Sequence, residues 1–113
     1  MSSFAVSNFN VQVNAQANPE ADWEMFIGLS MQASDGKTPA AGAAFLNFYP
    51  DASTLPDNTS TVEGTVRVYG ANFHTSRFAD VLAVIRGANA VNFYFNEDSL
   101  AAIINTGEEN IGN

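Results

Sequence analysis

The sequence predicts a single α+β domain, in which one amphipathic helix packs on one face of a mainly antiparallel sheet of five or six strands. Several separate segments alternate apolar with polar residues, at the two-residue period of a half-buried strand. One segment repeats its apolar residues at helical spacing instead. Turn residues separate most of these segments at hairpin-length intervals. The predicted order is β-β-β-β-α-β, with a further strand at the end left open.

The first strand is predicted because apolar residues at every second position alternate with Asn and Gln. The apolar residues are Phe9, Val11, Val13 and Ala15. Phe4 and Val6 have the opposite parity. Because a one-residue shift moves every following side chain to the other face, we expect a bulge or kink near Ser7.

Three more strands are predicted before the helix, separated by turn chemistry at 18–22 and by the strong turn signal Asp35-Gly36. A polar loop over 50–60 follows the third of the four strands. The second strand carries Trp23, Met25, Ile27, Leu29 and Met31 on one parity, the third covers 43–49, and the fourth covers 61–72.

The helix is predicted from apolar residues at i, i+3, i+4 and i+7, which form one helical face: Phe78, Val81, Leu82 and Ile85. Thr75 or Ser76 can cap its start by accepting a backbone N–H bond. Gly87 is expected to end it in the left-handed conformation, with Arg86 in the last turn favoured by the helix dipole.

A fifth strand is predicted where Val91, Phe93 and Phe95 alternate with polar residues. The segment 100–106 fits a short helix as well as a sixth strand. We predict one domain over residues 1–106 and a polar, acidic C-terminal tail over 107–113.

Composition narrows the class of partner. The 113 residues carry a net charge of −8 with only four Lys and Arg side chains, which disfavours nucleic acid and anionic membrane surfaces as partners. No apolar run approaches the length of a membrane-spanning helix. The chain has no cysteine, and its first residues lack the basic and apolar regions of a signal peptide. We therefore expect a cytoplasmic protein.

Motifs for nucleotide or acyl-transfer chemistry fail on inspection. The Gly36-Lys37-Thr38 sequence would need a glycine where Met31 stands to make a phosphate-binding loop. His74 is the single histidine, and with Ser76 and Asp80 it could be imagined as a catalytic triad. Triads are defined by geometry between distant residues, so we interpret His74 as a surface or strand-end residue.

Carboxylate pairs are the other candidate for chemistry. Glu97-Asp98 and Glu108-Glu109 flank the last predicted hairpin and could approach each other, as carboxylates at a cation site do. They lie in a predicted turn and tail, where acids are normally solvated. We expect no catalytic residue, no metal and no cofactor, and hence a non-enzymatic protein.

The aromatic residues point to a second sheet face. We assign the helix-covered face to ten residues: Trp23, Met25, Ile27, Leu29, Leu46, Phe48, Val66, Val68, Phe93 and Phe95. Five aromatics from four strands then share the opposite parity, together with three polar residues. This predicted aromatic face comprises Phe26, Phe45, Asn47, Tyr49, Arg67, Tyr69, Asn92 and Tyr94.

One helix cannot cover both faces of a sheet, so three explanations of the aromatic face stay open. The sheet or a loop could cover it within the monomer, a second copy could pair with it, or a ligand or another protein could bind it. Our main hypothesis is an interaction protein that forms a homodimer, or binds another protein, through this face. The alternatives are a small acidic inhibitor or immunity-type protein that binds a basic partner, and a small-molecule-binding protein or enzyme with an unrecognised pocket.

Overall fold

The structure, a computed structural model, describes residues 2–14, 25–33, 41–87 and 90–106. These residues form seven strands and one α-helix. In chain order they are β1 (Ser2–Val13), β2 (Met25–Ala33), β3 (Ala41–Tyr49), β4 (Thr59–Glu63), β5 (Val66–His74), α1 (Phe78–Gly87), β6 (Val91–Phe95) and β7 (Ala102–Thr106), with short 3₁₀ turns at Ala52–Thr54 and Thr75–Arg77. The broad α+β prediction is therefore confirmed.

All seven strands join one mixed sheet, in the order β4-β5-β3-β2-β1-β6-β7. The sheet curls into a half-barrel. Strands β5 and β6 are not neighbours in the sheet, yet their aromatic rings contact each other across its concave side. We call that side the inner face and the convex side the outer face. No helix within the described residues is long and apolar enough to cross a membrane.

The predicted irregularity in the first strand is confirmed. The register between β1 and β2 shifts between Val6 and Asn8. Phe4 stands opposite Ala33 before the shift, and Phe9 stands opposite Leu29 after it. The bulge thus returns residues of opposite sequence parity to the same inner face.

The prediction of one strand over 61–72 is wrong, because this segment forms parts of two strands, β4 and β5, which are joined as a hairpin. Gly64 has a φ of 63°, and glycine reaches this left-handed region without a steric penalty, so the chain reverses there in a two-residue turn. β5 inserts between β4 and β3 and runs parallel to β3, with Ala44 opposite Tyr69. The expectation of five or six mainly antiparallel strands is corrected to seven strands with one parallel pair among the described residues.

The predicted capping residues Thr75 and Ser76 lie in a 3₁₀ turn, and the α-helix begins after it at Phe78. Nδ1 of His74 accepts the backbone N–H of Ser76 at 3.2 Å, so His74 caps the 3₁₀ turn Thr75–Arg77 that leads directly into α1. Gly87 is the last residue of α1 and does not take the left-handed conformation that we expected. Val81 and Ile85 are buried, as the helical spacing predicted.

The C-terminal ambiguity resolves as a strand. β7 pairs antiparallel with β6, with Phe93 opposite Ile104. Asn96 and Ala101 close the connecting turn with a 2.9 Å backbone hydrogen bond. The predicted tail at 107–113 and Trp23 lie outside the described residues.

The core fills the inner face beneath α1. The largest fully buried side chains are Tyr69, Phe48, Phe93, Phe95, Ile27 and Leu46. Val66 and Val68, assigned from the sequence to the helix-covered face, lie only partly buried on the outer face, because Tyr69 and Ala71 supply the inner positions of β5. At the seam between β4 and the β6–β7 turn, the Asn58 side-chain amide donates to the Leu100 carbonyl at 2.9 Å.

Candidate functional site

The outer face holds six of the eight residues of the predicted aromatic face. Strand register places them there through pairs such as Phe26 with Asn47 and Gly28 with Phe45. The six are Phe26, Phe45, Asn47, Tyr49, Asn92 and Tyr94.

Tyr69 and Arg67 do not lie on this face, and their assignment from sequence is wrong. Both stand on the inner side of β5, where Tyr69 is 0% exposed. The Tyr69 ring packs against Phe4 and Phe93 at centroid distances of 5.4 and 5.3 Å. Tyr69 is therefore a core residue, since burial of so large a ring at the centre of the curled sheet outweighs the apolar contribution of the two neighbouring valines.

Phe45 is the exposed centre of the outer face. Its side chain is 44% exposed, and its ring meets the partly buried Phe26 ring edge-on at 6.3 Å. Gly28 and Gly70 stand directly beside it on the two neighbouring strands. The Asn10 amide lies over Gly28 and the Thr59 hydroxyl lies over Gly70, so polar groups flank the Phe45 ring on both sides.

An asparagine chain lies beside this aromatic pair. The Asn47 side-chain amide donates to the Asn72 side-chain oxygen at 3.2 Å. Asn72 in turn donates from its side chain to the carbonyls of Pro56 and Asp57, and from its backbone N–H to Asn58 Oδ1. These hydrogen bonds fix the Asn47 side chain, which lies opposite Phe26 on the neighbouring strand. The outer face therefore presents polar and aromatic side chains next to each other.

The other three residues do not join this cluster. Tyr49 is buried at 9% exposure at the end of β3. Asn92 and Tyr94 are partly buried on β6, opposite Ala5 and Ser3 of β1. Since β2 and β1 separate β3 from β6, these two side chains are about 14 Å from the Phe45 strand.

The outer face carries almost no charge. Among its described strand positions, Glu63 is the only acid, and no Lys or Arg occurs there. Well-solvated protein surfaces normally carry charge at about a quarter to a third of their positions. The positions concerned are Ser3, Ala5, Asn8, Asn10, Gln12, Phe26, Gly28, Ser30, Gln32, Ala41, Ala43, Phe45, Asn47, Tyr49, Thr59, Thr61, Glu63, Val66, Val68, Gly70, Asn72, His74, Asn92, Tyr94, Ile103 and Asn105.

Charged groups gather instead at one open end of the half-barrel. The Ser2 hydroxyl donates to the Glu97 carboxylate, and Arg67 donates to the Ser60 hydroxyl at 3.3 Å. Burial raises the pKa of Glu97, but the Ser2 hydrogen bond, a backbone hydrogen bond and nearby positive charge together hold it below its usual value of 4.5. Each of these two charged side chains thus has a serine hydroxyl as its hydrogen-bond partner.

The imagined triad does not assemble. The Ser76 hydroxyl does contact Nδ1 of His74 at 2.8 Å, but that nitrogen also accepts the Ser76 backbone N–H, as a helix cap does. Nε2 of His74 faces the Pro50 carbonyl at 3.0 Å, and Asp80 pairs with Arg77 at 3.5 Å. The third member of a triad is thus directed elsewhere, and we assign His74 to capping.

A small cavity opens at the seam between α1, β5 and β7, with a volume of about 260 Å³. Its walls are apolar except for Arg77 and Asp80 at the rim, and they comprise Phe73, Arg77, Asp80, Val81, Val84, Ala102, Ile103 and Ile104. Ligand pockets usually measure about 300–1,000 Å³ and converge several polar groups on the ligand. The small-molecule hypothesis gains little from this cavity.

Sequence reasoning missed a second exposed apolar row. The alternation predicts that Phe9, Val11 and Val13 form one side of a half-buried strand, yet they are 42%, 41% and 63% exposed. The available signal was charge, because the first charged side chain in the chain is Glu20. Beyond Ala5 no described strand pairs with β1 on its β6 side, and unpaired strand edges normally carry charged residues that prevent further pairing.

Comparison of the chain with protein-family models, curated proteins and solved structures finds no match. The proposals below therefore depend on the geometry alone.

Proposed function

We propose that this chain is a non-enzymatic interaction protein that pairs with a second copy of itself through the outer sheet face centred on Phe45. The observation that supports it is the nearly uncharged outer face, with an exposed aromatic at its centre, on a chain of net charge −8. Interface cores are depleted in charge and enriched in aromatic residues. We place the protein in the cytoplasm, which its lack of cysteine supports.

A second copy suits this face better than a basic partner. A basic protein would be attracted to carboxylates, and the outer face offers only Glu63 among its described positions. Two identical neutral faces can approach with their acids kept at the periphery. Repulsion between two chains of −8 then opposes the contact at long range.

The size of the face sets the expected strength. Nine residues of β3 and the width of seven strands would give an area of roughly 26 by 29 Å, or about 750 Å², for a flat sheet with strands of equal length. A standard interface buries about 800 Å² per partner. Because the outer face is convex, two copies touch over only part of that area. We therefore expect a weak dimer, with a Kd that is roughly micromolar or higher.

Sedimentation equilibrium at rising protein concentration tests the proposal. The Phe45→Ser variant should weaken the dimer by at least about 2 kcal/mol, roughly thirty-fold in Kd, because a central aromatic anchor is lost. Val62→Ser is the matched control, since Val62 is 53% exposed but lies on the other side of the sheet. An unchanged Kd in Phe45→Ser, or an equal loss in both variants, would rule out this face.

Salt separates the proposal from the acidic-inhibitor alternative. Raising the ionic strength screens the repulsion between two acidic chains and should strengthen self-association. A complex with a basic partner should weaken under the same change. A monomer at all salt concentrations, combined with salt-sensitive capture of a basic protein, would favour the alternative.

A further inference from the structure

The second half of β1 has one free edge among the described residues. β6 pairs only with Ser2–Ala5 of β1, whereas β2 pairs along both halves of the strand. The bulge between Val6 and Asn8 lies where β6 ends. Beyond it, Asn8–Val13 forms an unbroken six-residue ladder with β2, and its other edge pairs with no strand of the described residues.

This free edge lacks the devices that normally prevent strand addition. Exposed edges are usually protected by Lys, by Pro or by inward-pointing charge. Asn8–Val13 has none of these. Its inner side is a row of exposed apolar residues, Phe9, Val11 and Val13, and its outer side is a row of amides. High β-propensity without charge or proline is the composition of segments that pair readily with other strands.

We propose that this edge pairs antiparallel with the same edge of a second copy, about a twofold axis at Val11. In that register Phe9 faces Val13 of the second copy and Val11 faces its own equivalent, so apolar groups meet on one side. On the other side Asn10 faces Gln12, and the two amides can exchange hydrogen bonds.

Two features select a second copy as the occupant. The segment is self-complementary in the antiparallel direction, because its apolar and amide residues alternate symmetrically about Val11. It is also the stretch of each acidic chain where no charge opposes contact. The register keeps the incoming strand clear of β6, which occupies only the Ser2–Ala5 part of the edge.

The cysteine-free chain allows a test of both contact and register. Directly opposed residues in an antiparallel pair have Cα atoms about 4.5–5.5 Å apart, within the range that a disulfide spans. Val11→Cys should therefore form a covalent dimer under mild oxidation, at least about tenfold more than Val62→Cys, a control on the edge strand β4. Circular dichroism of each reduced variant confirms that it is folded.

The register predicts a second, asymmetric result. Two copies of Val13 are separated by four residues along the pair, about 13 Å, so Val13→Cys alone should not crosslink. A mixture of Phe9→Cys and Val13→Cys should crosslink as a heterodimer. Monomeric Val11→Cys, or equal crosslinking of Val11→Cys and Val13→Cys, would overturn the proposal.

This inference does not depend on the outer-face dimer. Phe45→Ser introduced into Val11→Cys should leave crosslinking unchanged, because Phe45 lies on another strand and faces the other way. Loss of crosslinking in that double variant would refute an independent edge contact. Failure of the outer-face proposal would show instead as an unchanged Kd in Phe45→Ser, whatever the crosslinking result.

Discussion

Gly42→Ala is expected to destabilise the domain through a single steric contact. Gly42 is buried on the inner side of β3, and an added Cβ would lie 2.8 Å from Cε1 of Phe4 and 3.2 and 3.3 Å from two further ring atoms. The Phe4 ring is 3% exposed and contacts Tyr69 edge-on, so it has little room to move away. Two side chains would then compete for one space at the centre of the half-barrel.

The magnitude follows from two opposing effects. Inserting a methyl group into a well-packed core costs about 1–3 kcal/mol. Replacing glycine by alanine inside a strand gains about 0.5–1 kcal/mol, because the unfolded chain loses freedom. The steric cost should win by about 1–2 kcal/mol, which for a domain of this size lowers the Tm by roughly 4–10 °C.

Urea and thermal unfolding of three variants measure this effect. Gly87→Ala is the control, because its Cβ would meet nothing within 4 Å, and it should stabilise the helix by up to about 1 kcal/mol. Phe4→Leu should remove the clash, so Gly42→Ala should cost about 1 kcal/mol less in that background. A wild-type or higher Tm for Gly42→Ala, or strictly additive losses in the double variant, would refute the reasoning.

Two other changes test a turn and a charge. Gly64→Ala should lower the free energy of unfolding in urea by about 1–2 kcal/mol, since the φ of 63° at Gly64 disfavours a residue with a Cβ atom. Gly64→Asn should lower it clearly less, because Asn tolerates this conformation better. Equal losses in the two variants would contradict a backbone cause. The lowered pKa of Glu97 means that its contribution to stability is present above pH 4.5 and is lost as the pH falls through the folded-state pKa. Glu97→Gln should therefore lower the Tm near neutral pH and match the wild type at about pH 2, and a pH-independent difference in Tm would contradict this.

Local periodicity predicted much of the fold. The parity change around Ser7 located the bulge to within one residue, because only an inserted residue can return Phe9 to the side that Phe4 occupies. Helical spacing likewise identified Val81 and Ile85 as buried. These predictions succeed because the spacing of apolar residues depends directly on which side of a strand or helix faces the core.

Strand order was beyond the reach of the same reasoning. Nothing within residues 59–74 shows that β5 inserts between β4 and β3, because the parallel pairing of β3 and β5 is a contact between distant segments. The misplacement of Tyr69 has the same origin. Both parities of β5 contain apolar residues, and only the curled sheet, which brings Phe93 and Phe95 over this strand, decides which set becomes core.

The alternation of apolar and polar residues also cannot predict how exposed a side chain is. Alternation states which way Val11 and Val13 point but not whether anything covers them. They share the inner side with Ile27, which is 0% exposed, yet they remain exposed themselves. The difference is the length of β6, which pairs with the first residues of β1 and stops. The candidate contact edge therefore exists because two neighbouring strands differ in length.

The two proposed contacts have different consequences when they act together. Each is isologous, because the same patch serves on both copies, and each alone gives a closed dimer. The outer face and the β1 edge are different surfaces, so one chain can use both at once. Two twofold axes that intersect at right angles would give a closed tetramer, whereas axes that do not intersect would give an open chain. Sedimentation at high salt distinguishes these cases, because the mass reaches a limit at four chains only in the closed assembly, and either Phe45→Ser or Val11→Lys should reduce both assemblies to dimers.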